Sequence, residues 1–134
     1  MSKTKALTTL TVALLSAVVL TVGVQAHAKL LKTSPADKAT VTKAPASVQL
    51  WFNEVIDVKL STVEVTGPDG KVALGMVHAM DPKQLMGPIT GKMSNGVYTV
   101  NWQTAGDDGH VQKGSFTFTL KQAAPSTKST KPKD

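Results

Sequence analysis

The chain has 134 residues, one domain's worth of sequence, and it contains no cysteine, which excludes disulfides and thiolate metal sites. Its formal net charge of +6 is unevenly spread: residues 27–120 carry nine lysines against eight acidic residues, while further lysines gather near the two ends. No arginine is present for the bidentate contacts that phosphate and guanine favour, so nucleic acid is not an expected partner.

The first residues read as an export signal. Lys3 and Lys5 give a basic start, an apolar run extends from Ala6 to Val24, and Val24-Gln25-Ala26 supplies the small residues a signal peptidase needs. Thr8, Thr9, Thr11, Ser16 and Thr21 interrupt that run. It therefore falls short of the roughly 20 consecutive apolar residues of a membrane span. Residues 1–26 are expected to be a cleaved signal peptide, so that the mature chain begins at His27.

From there to residue 120 the pattern is that of an all-β domain. Val48-Gln49-Leu50-Trp51-Phe52 alternates, with Val48, Leu50 and Phe52 on one side. A second run, from Leu60 to Thr66, closes on Gly67-Pro68-Asp69-Gly70, a turn in which proline presets φ and glycine accepts φ > 0. Lys71-Val72-Ala73-Leu74 returns as the other arm of a hairpin. Tyr98, Val100 and Trp102 alternate toward a core, as do Phe116, Phe118 and Leu120. Such spacing predicts a Greek-key β-barrel or immunoglobulin-like sandwich of about seven strands. Residues 121–134, with Lys121, Lys128, Lys131 and Lys133, read as a disordered, solvated tail.

All three histidines lie beyond the cleavage point. Cleavage before His27 leaves an α-amine and an imidazole on one residue, able to chelate a single ion. In the loop Gly106-Asp107-Asp108-Gly109-His110, Asp108 and His110 stand two apart, with Gly109 free to turn both the same way. Two imidazoles, an amine and a carboxylate form an N3O set, and tetragonal N,O coordination suits Cu(II). A plain turn beside a chance N-terminal histidine accounts for the same residues, so spacing by itself does not decide.

The ordered set of short segments adds to this. It comprises His27-Ala28-Lys29-Leu30 with Ser34-Pro35-Ala36, then Leu50-Trp51-Phe52-Asn53-Glu54, then Val65-Thr66-Gly67-Pro68-Asp69-Gly70. After these come Gly96-Val97-Tyr98-Thr99-Val100-Asn101-Trp102, Asp108-Gly109-His110 and Gly114-Ser115-Phe116-Thr117-Phe118. In this order they resemble the CopC family of periplasmic copper-binding proteins, which are Greek-key β-barrels. The resemblance implies a periplasmic protein that holds Cu(II) for resistance, sequestration or transfer to another periplasmic or membrane copper-transport protein. It implies copper ligation by the amine and imidazole of His27, the carboxylate of Asp108 and the imidazole of His110. It further implies a place beside the copper for Glu54, hydrogen-bonded to the amine or to a bound water. Asp107 competes with Asp108 for the carboxylate role; Asp108 matches by its spacing to His110. Gln103 stands where many relatives have arginine, and Thr104-Ala105-Gly106-Asp107 lacks the usual Val-Ser lead-in.

Met76, His78 and Met80 share one face if their segment is extended. Soft thioethers select Cu(I), and some CopC relatives carry a Met/His-rich second site in this region. On a strand Met76 and Met80 would stand about 13 Å apart, so a Cu(I) site would require this segment to be irregular, which Asp81-Pro82 only partly supports. The expectation is one tight Cu(II) site and at best weak Cu(I) binding. Met86 and Met93 are expected in the core. Two other classes compete: a copper-dependent enzyme like the lytic polysaccharide monooxygenases, and a metal-free immunoglobulin-like interaction module. An enzyme is not expected, because Asp108 would fill an equatorial position and the few aromatic residues mostly face the core.

Overall fold

Alternating apolar and polar residues become strands where the apolar set can share one interior. The computed structural model describes residues 27–125, so the expected signal peptide and the end of the lysine-rich tail lie outside the described residues. Eight strands form: β1 (Leu30–Ser34), β2 (Ala39–Val41), β3 (Ser47–Phe52), β4 (Thr62–Gly67), β5 (Gly70–Val72), β6 (Gln84–Pro88), β7 (Gly96–Ala105) and β8 (Val111–Leu120). The only helical element among the described residues is a short 3-10 turn, Val58–Leu60.

The strands make two sheets, one in the order β1-β3-β6 and the other in the order β2-β8-β7-β4-β5. Every pair is antiparallel except β2 with β8. This is the sandwich that the sequence predicts, with eight strands in place of about seven. Val48, Leu50 and Phe52 from one sheet meet Val65, Tyr98, Val100, Phe116, Phe118 and Leu120 from the other, all nearly inaccessible to water. Phe52 meets Trp102 edge-on at 5.3 Å between ring centroids, and Tyr98 stacks on Phe118 at 5.3 Å. Such pairs contribute about 0.5–1.5 kcal/mol beyond the area they bury. The Tyr98 hydroxyl donates to the Ser94 carbonyl at 2.6 Å, so its polar end is satisfied. Burial raises the Tyr98 pKa above the usual phenol value.

Three departures from the sequence reading have local causes. The run expected from Leu60 starts at Thr62, because Asp57 accepts from the Lys59 N–H at 2.9 Å and winds Val58–Leu60 into the 3-10 turn. Met86 is half-buried and absent from the core: β6 alternates, and Leu85 and Gly87 take the buried positions on either side of it. Met93 does pack against the core. The segment Met76–Met80 is not a strand. It is held by isolated bridges, Leu74 to Ile89 and His78 to Met86, with irregular chain between.

Two features of the fold position the site. The β7–β8 hairpin pairs continuously from Gly96 opposite Leu120 to Ala105 opposite Val111, and delivers the loop 106–110 at its tip. Strand β1 lies against β3, carrying the residues just before it toward the same end.

Candidate metal centre

His27 would ordinarily belong to a frayed end, but the two residues after it are held. Ala28 is buried in the core, only 4% exposed. The Lys29 N–H donates to Asn53 Oδ1 at 2.7 Å, and the Asn53 N–H donates to the Lys29 carbonyl at 3.0 Å. Asn53 thus grips Lys29 from both sides of its peptide.

The hairpin tip is shaped by its own chemistry. The Gly109 N–H donates to the Gly106 carbonyl at 3.0 Å, closing a turn in which Gly109 adopts φ of 73°. A side chain at Gly109 would be strained there. Asp108 then uses both carboxylate oxygens on His110: Oδ1 accepts from the His110 backbone N–H at 3.0 Å, and Oδ2 lies 3.0 Å from His110 Nδ1. The His110 N–H is the main cause that holds the Asp108 carboxyl below the usual range. Desolvation opposes it, and the His110 and His27 rings add to the lowering.

The rings of His27 and His110 face each other at 5.7 Å between centroids, tilted by 49°. One donor atom each from His27, Asp108 and His110 lie within 4.8 Å of one another. Donors bonded to one ion at about 2.0–2.1 Å stand at most about 4 Å apart across it. Closing that difference needs only small side-chain rotations, and all three residues are exposed enough to make them. The donors suit a borderline cation that prefers nitrogen and carboxylate over sulfur. Asp107 is exposed and stands outside this group.

Glu54 reaches the same place from the other sheet. The bridge between Ile56 and Gly106, and the bond from the Asp57 N–H to the Ala105 carbonyl at 2.8 Å, lay its segment along the end of β7. Its carboxylate leans directly over the Cα of Gly106, in the space a Cβ would need, and Asp108 Oδ1 lies 3.4 Å from that same point. Gly106 is therefore what admits Glu54 beside Asp108. Neither Asn53 nor Gly106 stands out in the sequence: an asparagine between two strands and a glycine before Asp-Asp both read as ordinary turn residues.

The methionine-bearing segment is a separate region. Met76 is 86% exposed and Met80 68% exposed. His78 exchanges both backbone hydrogen bonds with Met86, and its Nδ1 lies 3.0 Å from the Met76 carbonyl oxygen. A carbonyl only accepts, so Nδ1 carries a proton in this contact and Nε2 faces elsewhere. Two clefts along the sheet edges, one at Val63, Val72 and Leu74 and one at Leu30, Thr33 and Ala36, contain none of the candidate residues. The candidate centre is an exposed cluster of donors, suited to an ion.

The chain is similar to known proteins of copper resistance. The family model of the CopC domain matches residues 30–121. Protein YobA of Escherichia coli (strain K12) is 37% identical over 112 residues, covering 81% of this chain and 90% of YobA. Copper resistance protein C of Xanthomonas campestris pv. juglandis is 34% identical over 119 residues, covering 83% of this chain and 93% of that protein. Among solved structures, PcoC, a methionine-rich copper resistance protein from Escherichia coli, superposes with a TM-score of 0.66 at 31% identity. That match covers 72% of this chain and all of PcoC.

Proposed function

The chain belongs to the CopC family of copper resistance proteins, and from that premise we propose that it is a periplasmic carrier of Cu(II), matured by cleavage after Ala26. The free amine and imidazole of His27, the carboxylate of Asp108 and the imidazole of His110 hold the ion, with Glu54 beside it. The observation that carries this reading is the convergence of three donors within 4.8 Å, drawn from the two ends of the domain's sequence. An amine and two imidazoles supply three nitrogens and Asp108 one oxygen, the tetragonal set that Cu(II) prefers.

Cleavage matters chemically. Any residue before His27 turns its nitrogen into an amide, which coordinates only by losing a proton. The role is that of a carrier, not of a catalyst, since Asp108 would take up a coordination position that a copper oxygenase needs for its co-substrate. The exposed cluster is accessible to a second protein, which fits the delivery of copper to another periplasmic or membrane copper-transport protein.

The test is an EPR spectrum of the mature protein with one equivalent of Cu(II), repeated on His110→Ala and on a form with one residue added before His27. The expected result is a single tetragonal, nitrogen-rich spectrum in the mature protein alone. Cu(II) held equally tightly by the extended form would overturn the amine ligand. Equal binding by His110→Ala would overturn the site.

A further inference from the structure

We infer that Asn53 is a positioning residue for copper binding: its side chain clamps the N-terminal segment so that the amine and imidazole of His27 are presented ready-made to the ion. The inference rests on the reading above that the His27 amine is a ligand. It adds a residue that touches neither copper nor any donor.

A chelate built on the first residue of a chain has a physical difficulty. Terminal residues are poorly ordered unless something ties them down, and ordering a chain end on binding subtracts from the affinity, as does ordering any flexible group. One residue fixed in its backbone loses about 1–2 kcal/mol of conformational freedom. If His27, Ala28 and Lys29 all had to order when copper arrived, much of the chelate's advantage would disappear.

The structure removes that cost beforehand. Strand β1 begins at Leu30, so its sheet pairing does not reach residues 27–29. What orders them is the insertion of Ala28 into the core and the two-sided grip of Asn53 on Lys29. Only one of the two Asn53 bonds uses the side chain, the 2.7 Å bond from the Lys29 N–H to Oδ1. Asn53 also immediately precedes Glu54, so one short segment fixes the N-terminal arm and brings the second carboxylate to Asp108. Asn53 is a neutral amide, and the geometry requires only an acceptor at Oδ1.

That last point makes the inference testable apart from overall folding. In the mature protein, Asn53→Ala removes the acceptor, while Asn53→Asp keeps it. Cu(II) affinity by chelator competition should fall about tenfold in Asn53→Ala, the low end of what supporting contacts to metal ligands contribute. It should be retained in Asn53→Asp. The EPR spectrum of Asn53→Ala should broaden into a mixture of species, and hydrogen exchange at the Lys29 amide should accelerate in the metal-free protein. In the form extended before His27, which keeps the imidazole but lacks the amine, Asn53→Ala should cost clearly less than in the mature protein. Asn53→Ala with wild-type affinity and spectrum would overturn the clamp while leaving the copper site intact. So would an equal loss in the extended form, which would mark a general effect on folding. If instead the wild-type mature protein fails to bind Cu(II) through His110, it is the reading of the site that fails, whatever Asn53 does.

Discussion

At the scale of single residues, the site depends on an atom that is missing. Gly106 leaves room for the Glu54 carboxylate beside Asp108. A methyl group there clashes with the far end of the flexible Glu54 side chain and makes only ordinary contact with Asp108 Oδ1 at 3.4 Å, so Gly106→Ala should displace Glu54 with little effect on the fold, within about 1 kcal/mol by thermal unfolding. Cu(II) affinity should fall and the EPR parameters shift. In a Glu54→Ala background the same substitution should do almost nothing, because coupled residues are non-additive. Equal losses in both backgrounds would show that Gly106 acts by another route. Asp108 gives a second prediction, from the direction of its pKa. Its carboxyl is lowered in the fold, so its interaction with His110 is fully present above the unfolded value of about 3.9 and is lost only as pH falls through the lowered one. Between pH 5 and 7 Asp108 is already ionised, so copper displaces no proton from it there. Asp108→Asn should therefore weaken Cu(II) binding while leaving the slope of log affinity against pH unchanged over that window. A slope reduced by one proton would contradict this, and so would an Asp107→Asn variant that loses more affinity than Asp108→Asn.

At the scale of elements, what was legible followed from regular alternation. β3, β4, β7 and β8 announce themselves because their apolar residues fall at every second position over a run long enough to count, and the three-residue β5 because the Gly67–Gly70 turn marks it as the return arm of a hairpin. β1, β2 and β6 do not. β1 carries an extra residue at Leu31, where the register jumps between Leu30 and Lys32, so its inward residues Leu30 and Thr33 stand three apart. A bulge of this kind erases the period that sequence reading depends on. β2 has three residues, and β6 hides its alternation behind Gly87 and Pro88, the latter tolerated on an edge strand. The three donors that the fold gathers were legible because their side-chain chemistry is rare. Asn53 and Gly106 were not, because their roles are contacts made by common residues. The same reasoning bears on the methionine segment. With His78 bridged to Met86 and with Met76 and Met80 largely in water, its thioethers are not gathered by packing, and a soft ion would have to order them itself. Cu(I) titration against a competing chelator should show only weak binding, little altered by a Met76/Met80 double substitution to alanine. Tight stoichiometric Cu(I) binding lost in the double variant would make this a second copper site.

At the scale of the whole molecule, the candidate centre sits where three separate pieces of chain meet: the N-terminal arm, the segment after β3, and the β7–β8 hairpin tip. The arm and the Glu54 segment adjoin the three-stranded sheet, whereas the hairpin belongs to the five-stranded one. An ion shared by His27, Asp108 and His110 would cross-link the two sheets at that end, and in a chain without cysteine no disulfide does so. Binding to the folded state alone must then stabilise it, by about 2.7 kcal/mol when free copper is a hundred times Kd. For a domain of this size each kcal/mol moves Tm by about 4–8 °C, so the mature protein should melt roughly 10–20 °C higher with Cu(II) buffered at that level. The extended form, lacking the amine, and His110→Ala, lacking the hairpin's imidazole, should each lose most of that shift while melting close to wild type when metal-free. The comparison separates a bridge from a surface adduct. An ion held by His27 alone would stabilise His110→Ala as well as wild type, and that result would mean that copper does not join the two sheets.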